Sequence, residues 1–381
     1  MGEELHPLVC SGKLMHIRLL RVSFLHKLRF VDHIDFRSDT VTWPTVAMRK
    51  AMAEAAVGDD GYGEDPTVRE LEELAAHLTG KEAAVLVSSG TMGNLIGILA
   101  HASRGEGAIV GLDAHTFRSE AGGISAFGGV VPQPLSTDSE GRMDLIAIEQ
   151  AISPDEPYYP RSRLILLENS YGAKNGYPIE TAYFGDVKEI ADRHGLVVHL
   201  DGARLFNAVT ALGIEAHELT QYVDSVSFCL SKGLCAPVGS VICGSSEFTH
   251  QARRARLALG GSMRQAGIIA APGLIALNEM VGRLSEDHSN ARLLAEGVAD
   301  IPGVVIDLSA IKTNIVFFQI EVDNGPNSSE IAARLWEQER ILIGINGPNT
   351  FRAVTHYWVG SEDVDRLVLG LRDILAGWRR K

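Results

Sequence analysis

The sequence predicts an α/β fold with a mostly parallel sheet, followed by a smaller α/β domain. From Asp35 onward, short apolar runs alternate with stretches of helical periodicity. Two of those runs end in the turns Ser89-Gly90 and Asp201-Gly202, each opening toward a helix. After Gly261 the pattern shifts to long helical stretches before strands return.

Each element follows from local chemistry. Asp65-Pro66 reads as an N-cap with proline at the first helical position, and Val68, Leu71, Leu74, Ala75 and Leu78 then share one face. Gly80 ends that helix, and Ala83–Ser89 forms a strand running into Gly90-Thr-Met-Gly-Asn94. Further strands are predicted at 107–112, 163–168, 196–200, 223–230 and 238–243, with helices near 92–102, 144–152 and 184–194. A helix over about 265–300 then leads to a strand at 314–320, a helix at 328–339, a strand at 341–345 and a last helix at 361–377. The stretch 323–329 is a loop. This divides the chain into a large domain at 34–285 and a small one at 286–381, preceded by an atypical extension, 1–33.

Composition narrows the function. With 35 Lys and Arg against 48 Asp and Glu the net charge is −13, and no basic cluster argues for nucleic acid. The cysteines Cys10, Cys229, Cys235 and Cys243 form no CxxC pair, so they read as reduced thiols of a cytoplasmic protein, and no metal site is expected. The longest apolar run, Ala266–Leu277, is too short to span a bilayer and contains a proline, so no membrane span is expected. Residues 5–31 are basic and apolar without an acid; a transit-like segment, a basic amphipathic arm and translated upstream sequence ahead of Met15 are all open readings.

Candidate chemistry gathers at strand ends. Lys232, in Ser227-Phe-Cys-Leu-Ser-Lys-Gly-Leu234, follows a short apolar strand; Asp201 and Arg204 follow another. A lysine that forms a Schiff base, a carboxylate that holds a pyridinium proton and a guanidinium that grips a carboxylate are the parts of a pyridoxal phosphate site. Taken singly, each has an ordinary alternative. Lys232 could be a solvated loop lysine, and Asp201 could cap the helix that follows it. Gly90 and Thr91 sit where a helix N-terminus can hold phosphate, although such turns cap many helices. His115 could stack on a planar ring or move protons, with Glu120 orienting it, or be a surface histidine. Neither GxGxxG nor a P-loop occurs, which disfavours a nucleotide.

Taken in order, Asp35-Phe-Arg-Ser-Asp-Thr-Val-Thr42, Val57-Gly-Asp-Asp-Gly-Tyr-Gly-Glu-Asp-Pro-Thr67, Ser89-Gly-Thr-Met-Gly-Asn94, His199-Leu-Asp-Gly-Ala-Arg-Leu-Phe-Asn207, the Lys232 run and Met263-Arg-Gln265 resemble the low-specificity L-threonine aldolases. The resemblance covers roughly residues 34–380. It implies the aspartate-aminotransferase fold type I, with a mostly parallel seven-stranded sheet in the large domain, and a pyridoxal-phosphate-dependent aldehyde-lyase. The implied reaction is cleavage of L-threonine, L-allo-threonine and other L-β-hydroxy-α-amino acids to glycine and an aldehyde. It implies that Lys232 bonds the cofactor, Asp201 pairs with the ring nitrogen and His115 stacks on the ring. Gly90 and Thr91 would hold the phosphate, joined by Arg264 from a neighbouring subunit, while Ser38, Arg204 and Arg352 would take the substrate carboxylate. Tyr62 and its loop would lie at a dimer interface near the site, in a homodimer or homotetramer.

The chain departs from the family pattern in three places. Tyr171 stands where the family commonly has a histidine, and Cys235 and Ser262 each replace a usual glycine. Tyr171 keeps a second reaction open, since a lysine–tyrosine pair could serve as the two acid/bases of an alanine racemase. A silent, pyridoxal-phosphate-binding regulatory protein is a third reading, although no helix-turn-helix pattern supports it.

Overall fold

Thirteen strands form among the described residues, 32–322 and 325–379 of a computed structural model. The first eight are β1 (Ile34–Asp35), β2 (Ala83–Val87), β3 (Gly107–Gly111), β4 (Val131–Leu135), β5 (Ser162–Glu168), β6 (Val197–Asp201), β7 (Ser225–Cys229) and β8 (Ser240–Gly244). The remainder are β9 (Val304–Val305), β10 (Ile315–Ile320), β11 (Ile341–Leu342), β12 (Gly344–Ile345) and β13 (Thr350–Val354). The readings of residues 5–31, and of part of the loop at 323–329, lie outside the described residues.

Strands β2 to β8 make one seven-stranded sheet in the order β2-β8-β7-β6-β5-β3-β4. Only β8 runs against the others. The central strands are buried on both faces, as in a sheet covered by helices on each side. Val85, Leu86, Ile109, Val110, Leu164, Ile165, Val198, Leu200 and Val226 are all buried. The strands predicted at 107–112, 163–168, 196–200, 223–230 and 238–243 agree within two residues with β3, β5, β6, β7 and β8. β4 escapes sequence reading because Val131-Pro-Gln-Pro-Leu135 carries two prolines. A proline cannot donate to a ladder, and β4 is tolerated because it is the edge strand.

The smaller sheet is antiparallel, in the order β12-β13-β10-β9. The single strand expected at 341–345 divides into β11, which pairs with β1, and β12, which pairs with β13. Phe318 and Phe351 stack face to face at the centre of a second core, with Leu335, Leu367 and Leu371 from the helices above. Pairing of β1 with β11 carries the segment after Asp35 onto this second core, and the chain then crosses back toward the large sheet.

The apolar run Ala266–Leu277 does not stop at its proline. Helix Gly267–Ile275 continues through a π turn (Ala276–Met280) and a 3-10 turn (Val281–Arg283) into helix Leu284–Ala299. By length and composition alone this continuous stretch of 33 residues would be enough to cross a bilayer, a test that the core helix of a globular fold also passes. Half of its most apolar window is buried inside the fold, as in a core helix.

Candidate active site

Strands β2, β3, β5, β6 and β7 point the same way, so their carboxyl ends share one edge of the sheet. Ligands of open α/β sheets bind at that edge. Past the end of β7, Lys232 sits in a tight turn in which its carbonyl accepts hydrogen bonds from the Cys235 amide (2.9 Å) and the Thr42 hydroxyl (2.8 Å). Its cleft is lined by Arg204, Phe206, Asn207, Cys229 and Leu234. Cys235 holds φ at 65°, a left-handed conformation that glycine adopts freely and that costs an L-residue about 1–2 kcal/mol. That is the physical sense of the family glycine at this position.

Asp201 ends β6 and is 1% exposed. It does not cap the helix that follows, Leu205–Leu212, which starts after Arg204 without a side-chain cap. One carboxylate oxygen accepts the Ala203 amide (3.0 Å) in the turn before that helix, and the other accepts Asn94 Nδ2 (2.9 Å). Asn94 Nδ2 also donates to Glu120 Oε1 (2.8 Å), which accepts His115 Nδ1 at 2.8 Å. On its other side Asn94 Oδ1 accepts the Ser227 hydroxyl at 2.6 Å. His115, Glu120 and Asp201 place their ligand atoms within 4.8 Å of one another. The Glu120 hydrogen bond raises the His115 imidazole above its ordinary pKa, while burial opposes it. Burial raises Glu120 in turn.

Glu168, at the end of β5 and in register with Asp201, is buried. Its two oxygens accept the backbone amides of His115 (2.7 Å) and Gly172 (2.8 Å), fixing both loops over the site. Burial, and then the neighbouring Asp201, push it up to about 7.

Arg204, expected to take the substrate carboxylate, is already engaged by a carboxylate of the chain itself. Arg204 Nε and Nη2 meet Asp39 Oδ2 and Oδ1 at 2.7 and 2.5 Å, and Asn314 Nδ2 adds a third donor at 3.3 Å. Burial alone would raise Asp39, but Arg204, then Lys232 and Arg352, hold it far below the carboxylate range. Arg352, on β13, donates to the Arg37 carbonyl (3.1 Å), and burial followed by Arg204 pushes it down to about 10. Two guanidiniums thus face one carboxylate. Ser38 lies next to Asp39, its hydroxyl accepting the Thr40 amide at 3.2 Å.

Ser89 caps the helix Gly90–His101, its hydroxyl accepting the Met92 amide at 3.2 Å, and Thr91 is exposed beside it. A Cβ on Gly90 would come within 2.7 Å of Cys229 Sγ, so only glycine lets the helix start this near the lysine strand. Ser240 Oγ, on β8 beside Gly90, is buried with no hydrogen-bond partner. Within one chain Arg264 is not brought into this cluster. Its side chain is 70% exposed and reaches Asp59 at 3.3 Å.

Tyr171 is where the structure departs most from expectation. A tyrosine poised opposite Lys232 would line the same cleft, but Tyr171 is 2% exposed and its ring packs against Gly141. Its hydroxyl points at Gly111 and lines a separate small cavity with Met143, Tyr183 and Phe184. Burial, followed by the nearby Glu168, raises its pKa, so the phenol stays protonated and offers no base near neutrality.

Comparison with known proteins adds the family. The model of beta-eliminating lyases matches residues 35–321. The chain belongs to the beta-eliminating lyase family. This beta-eliminating lyase is 46% identical over 334 residues to low-specificity L-threonine aldolase 1 of Arabidopsis thaliana, covering 87% of the present chain and 93% of that relative. With the low specificity L-threonine aldolase of Escherichia coli (strain K12) it shares 42% identity over 347 residues, 91% of this chain and 98% of the other. Among solved structures, a Leishmania major threonine aldolase superposes with a TM-score of 0.75 at 20% identity, covering 90% of this chain and 99% of that one. A Sphingomonas wittichii serine palmitoyltransferase gives 0.71 at 15% identity, covering 91% and 88%. The fold and the family expected from the ordered motifs are both borne out.

Sequence reading missed four residues of this beta-eliminating lyase that the fold brings to the site: Asp39, Asn94, Glu168 and His199. Asp39, Asn94 and His199 lay inside quoted motifs, and Glu168 ended a predicted strand. The available signal was a polar side chain placed where the pattern demanded burial.

Proposed function

We propose that this lyase uses pyridoxal phosphate to cleave L-threonine, L-allo-threonine and related L-β-hydroxy-α-amino acids to glycine and an aldehyde. The observation that carries this is the pair of guanidiniums of Arg204 and Arg352 balanced by the single carboxylate of Asp39, next to Lys232. The net positive charge of that group suits one substrate carboxylate. The 42% and 46% identities to aldolases over nearly their whole lengths support the reaction.

The residues fit the cofactor. Asp201 is a buried carboxylate at a strand end, suited to a protonated ring nitrogen. The capped helix start at Gly90 and Thr91, with the orphaned Ser240 hydroxyl beside it, offers donors to a phosphate. Lys232 supplies the amine that bonds the aldehyde carbon. When bound, the cofactor supplies an electron sink for the pair left on Cα as the Cα–Cβ bond breaks.

The chain's own groups do the rest. Arg204, held at two of its nitrogens by Asp39, joins Arg352 and Ser38 in fixing the substrate carboxylate, and so the orientation of the bond to be broken. Such positioning is worth roughly 7–11 kcal/mol. His115, with Glu120 at Nδ1, has its Nε2 left to take the β-hydroxyl proton, and its imidazole would be the group to stack on the cofactor.

A second subunit would complete the phosphate site through Arg264. Both Arg264 and Tyr62, at 70% and 79% exposed, are on the outer surface of one chain, which supports a homodimer or homotetramer. A cytoplasmic enzyme of threonine catabolism and glycine biosynthesis fits this reading. Racemization by Lys232 and Tyr171 is disfavoured, because the Tyr171 ring is packed against Gly141 rather than into the lysine cleft. The deciding experiment incubates the purified protein with L-allo-threonine and separately with L-alanine. Acetaldehyde release is expected to exceed D-alanine formation by orders of magnitude; the reverse ratio overturns the proposal.

A further inference from the structure

Asn94 is 1% exposed, four residues into the helix Gly90–His101, and its amide is fully engaged. Nδ2 donates to two carboxylates on different elements, Glu120 at 2.8 Å and Asp201 at 2.9 Å. Oδ1 accepts the Ser227 hydroxyl at 2.6 Å, with His199 Nε2 at 3.4 Å, and His199 Nδ1 rests on Ser225 at 2.8 Å. Ser227 and Ser225 both come from β7, so the strand that leads to Lys232 also sets which way the amide faces. Flipped, the Asn94 carbonyl would oppose two carboxylates and its nitrogen would meet a donor. The network therefore permits one orientation.

Resting on the cofactor reading above, we propose that Asn94 is a positioning residue joining the His115–Glu120 pair to Asp201, so that the proton-moving imidazole and the carboxylate assigned to the ring nitrogen are held and charged as one unit. The physical reason is that two buried carboxylates share one neutral donor. If the amide is removed, Glu120 loses a bond that favours its ionised form and takes up a proton more readily. His115 then loses its anionic partner. Asp201, Glu168 and Lys232 are the other charged groups acting on this cluster, and His199, which burial pushes down to about 3, brings no charge near neutrality.

The test follows the His115 imidazole by NMR titration in the full chain, freed of cofactor, in wild type, Asn94→Ala and Ser227→Ala. His115 is assigned through a His115→Gln variant. Pyridoxal phosphate affinity is measured in parallel by its absorbance. The His115 midpoint is expected to move to lower pH in both variants, further in Asn94→Ala, with cofactor dissociation constants raised about tenfold. An unchanged His115 midpoint in both folded variants overturns the proposal. Should Asn94→Ala fail to fold, Ser227→Ala decides alone, because it leaves the amide in place and removes only its anchor. A wild type that binds no pyridoxal phosphate defeats the cofactor reading, while the cofactor-free titration still decides the network.

Discussion

Asp39 and Arg204 meet in a two-point ion pair of 2.7 and 2.5 Å, with side chains 0% and 9% exposed. The two residues are 165 positions apart, one in the turn after β1 and the other after β6. Breaking a buried pair by removing one partner strands the other charge, at about 3–5 kcal/mol. Asp39→Ala should lower unfolding stability by that amount and raise KM for L-threonine at least about tenfold, as read by urea unfolding and steady-state kinetics. An unaltered KM would show that Arg204 needs no partner to bind the carboxylate.

Lys232→Ala should remove turnover and the visible absorbance band together, because both depend on one amine. The fold should persist, since the turn is held by the Lys232 carbonyl rather than its side chain. Spectra and circular dichroism of the purified variant check this; a retained band would move the attachment to another lysine.

Glu120→Gln should shift the acid limb of kcat/KM to lower pH. The Glu120 hydrogen bond raises His115 above its ordinary value, so loss of the carboxylate lowers it. A base must be unprotonated to work, and a lower pKa extends activity toward acid. A pH–rate profile that stays in place would remove His115 from the proton transfer.

Tyr171→Phe should keep kcat within a few-fold and change stability by no more than about 1 kcal/mol, since the buried hydroxyl lies beside Thr137 without a well-formed hydrogen bond. Tyr171→Ala, by contrast, should destabilise by about 3–5 kcal/mol through the cavity it leaves. Loss of all activity in the phenylalanine variant would restore the phenol to the chemistry.

Stability should fall on acidification from neutrality. Burial pushes His199 down to about 3 and His101 and His288 to about 4, so each stays neutral in the folded chain while the unfolded chain takes up a proton below about pH 6.5. Stability is therefore complete above that range and lost toward pH 4, with a slope of up to about 1.4 kcal/mol per pH unit for each histidine. Urea unfolding between pH 7 and 4 measures it, and His199→Gln should flatten the slope; an equal slope would place the acid sensitivity elsewhere.

By itself the sequence determined the sheet's central strands, whose short, largely apolar runs reflect burial on both faces, and it determined the strand-end positions of Lys232 and Asp201. Ordered motifs determined the family. Periodicity could not find β4, whose prolines are acceptable only at an edge that no local pattern announces. Nor could it pair Asp39 with Arg204, or join Asn94 to Glu120 and Asp201, since those bonds link elements distant in the chain. Tyr171 shows the division most clearly. Sequence could count it as a phenol where the family has an imidazole, and only packing against Gly141 and Gly111 decided which way it faces. Residue chemistry is written locally, but direction and partnership are set by what lies across the sheet.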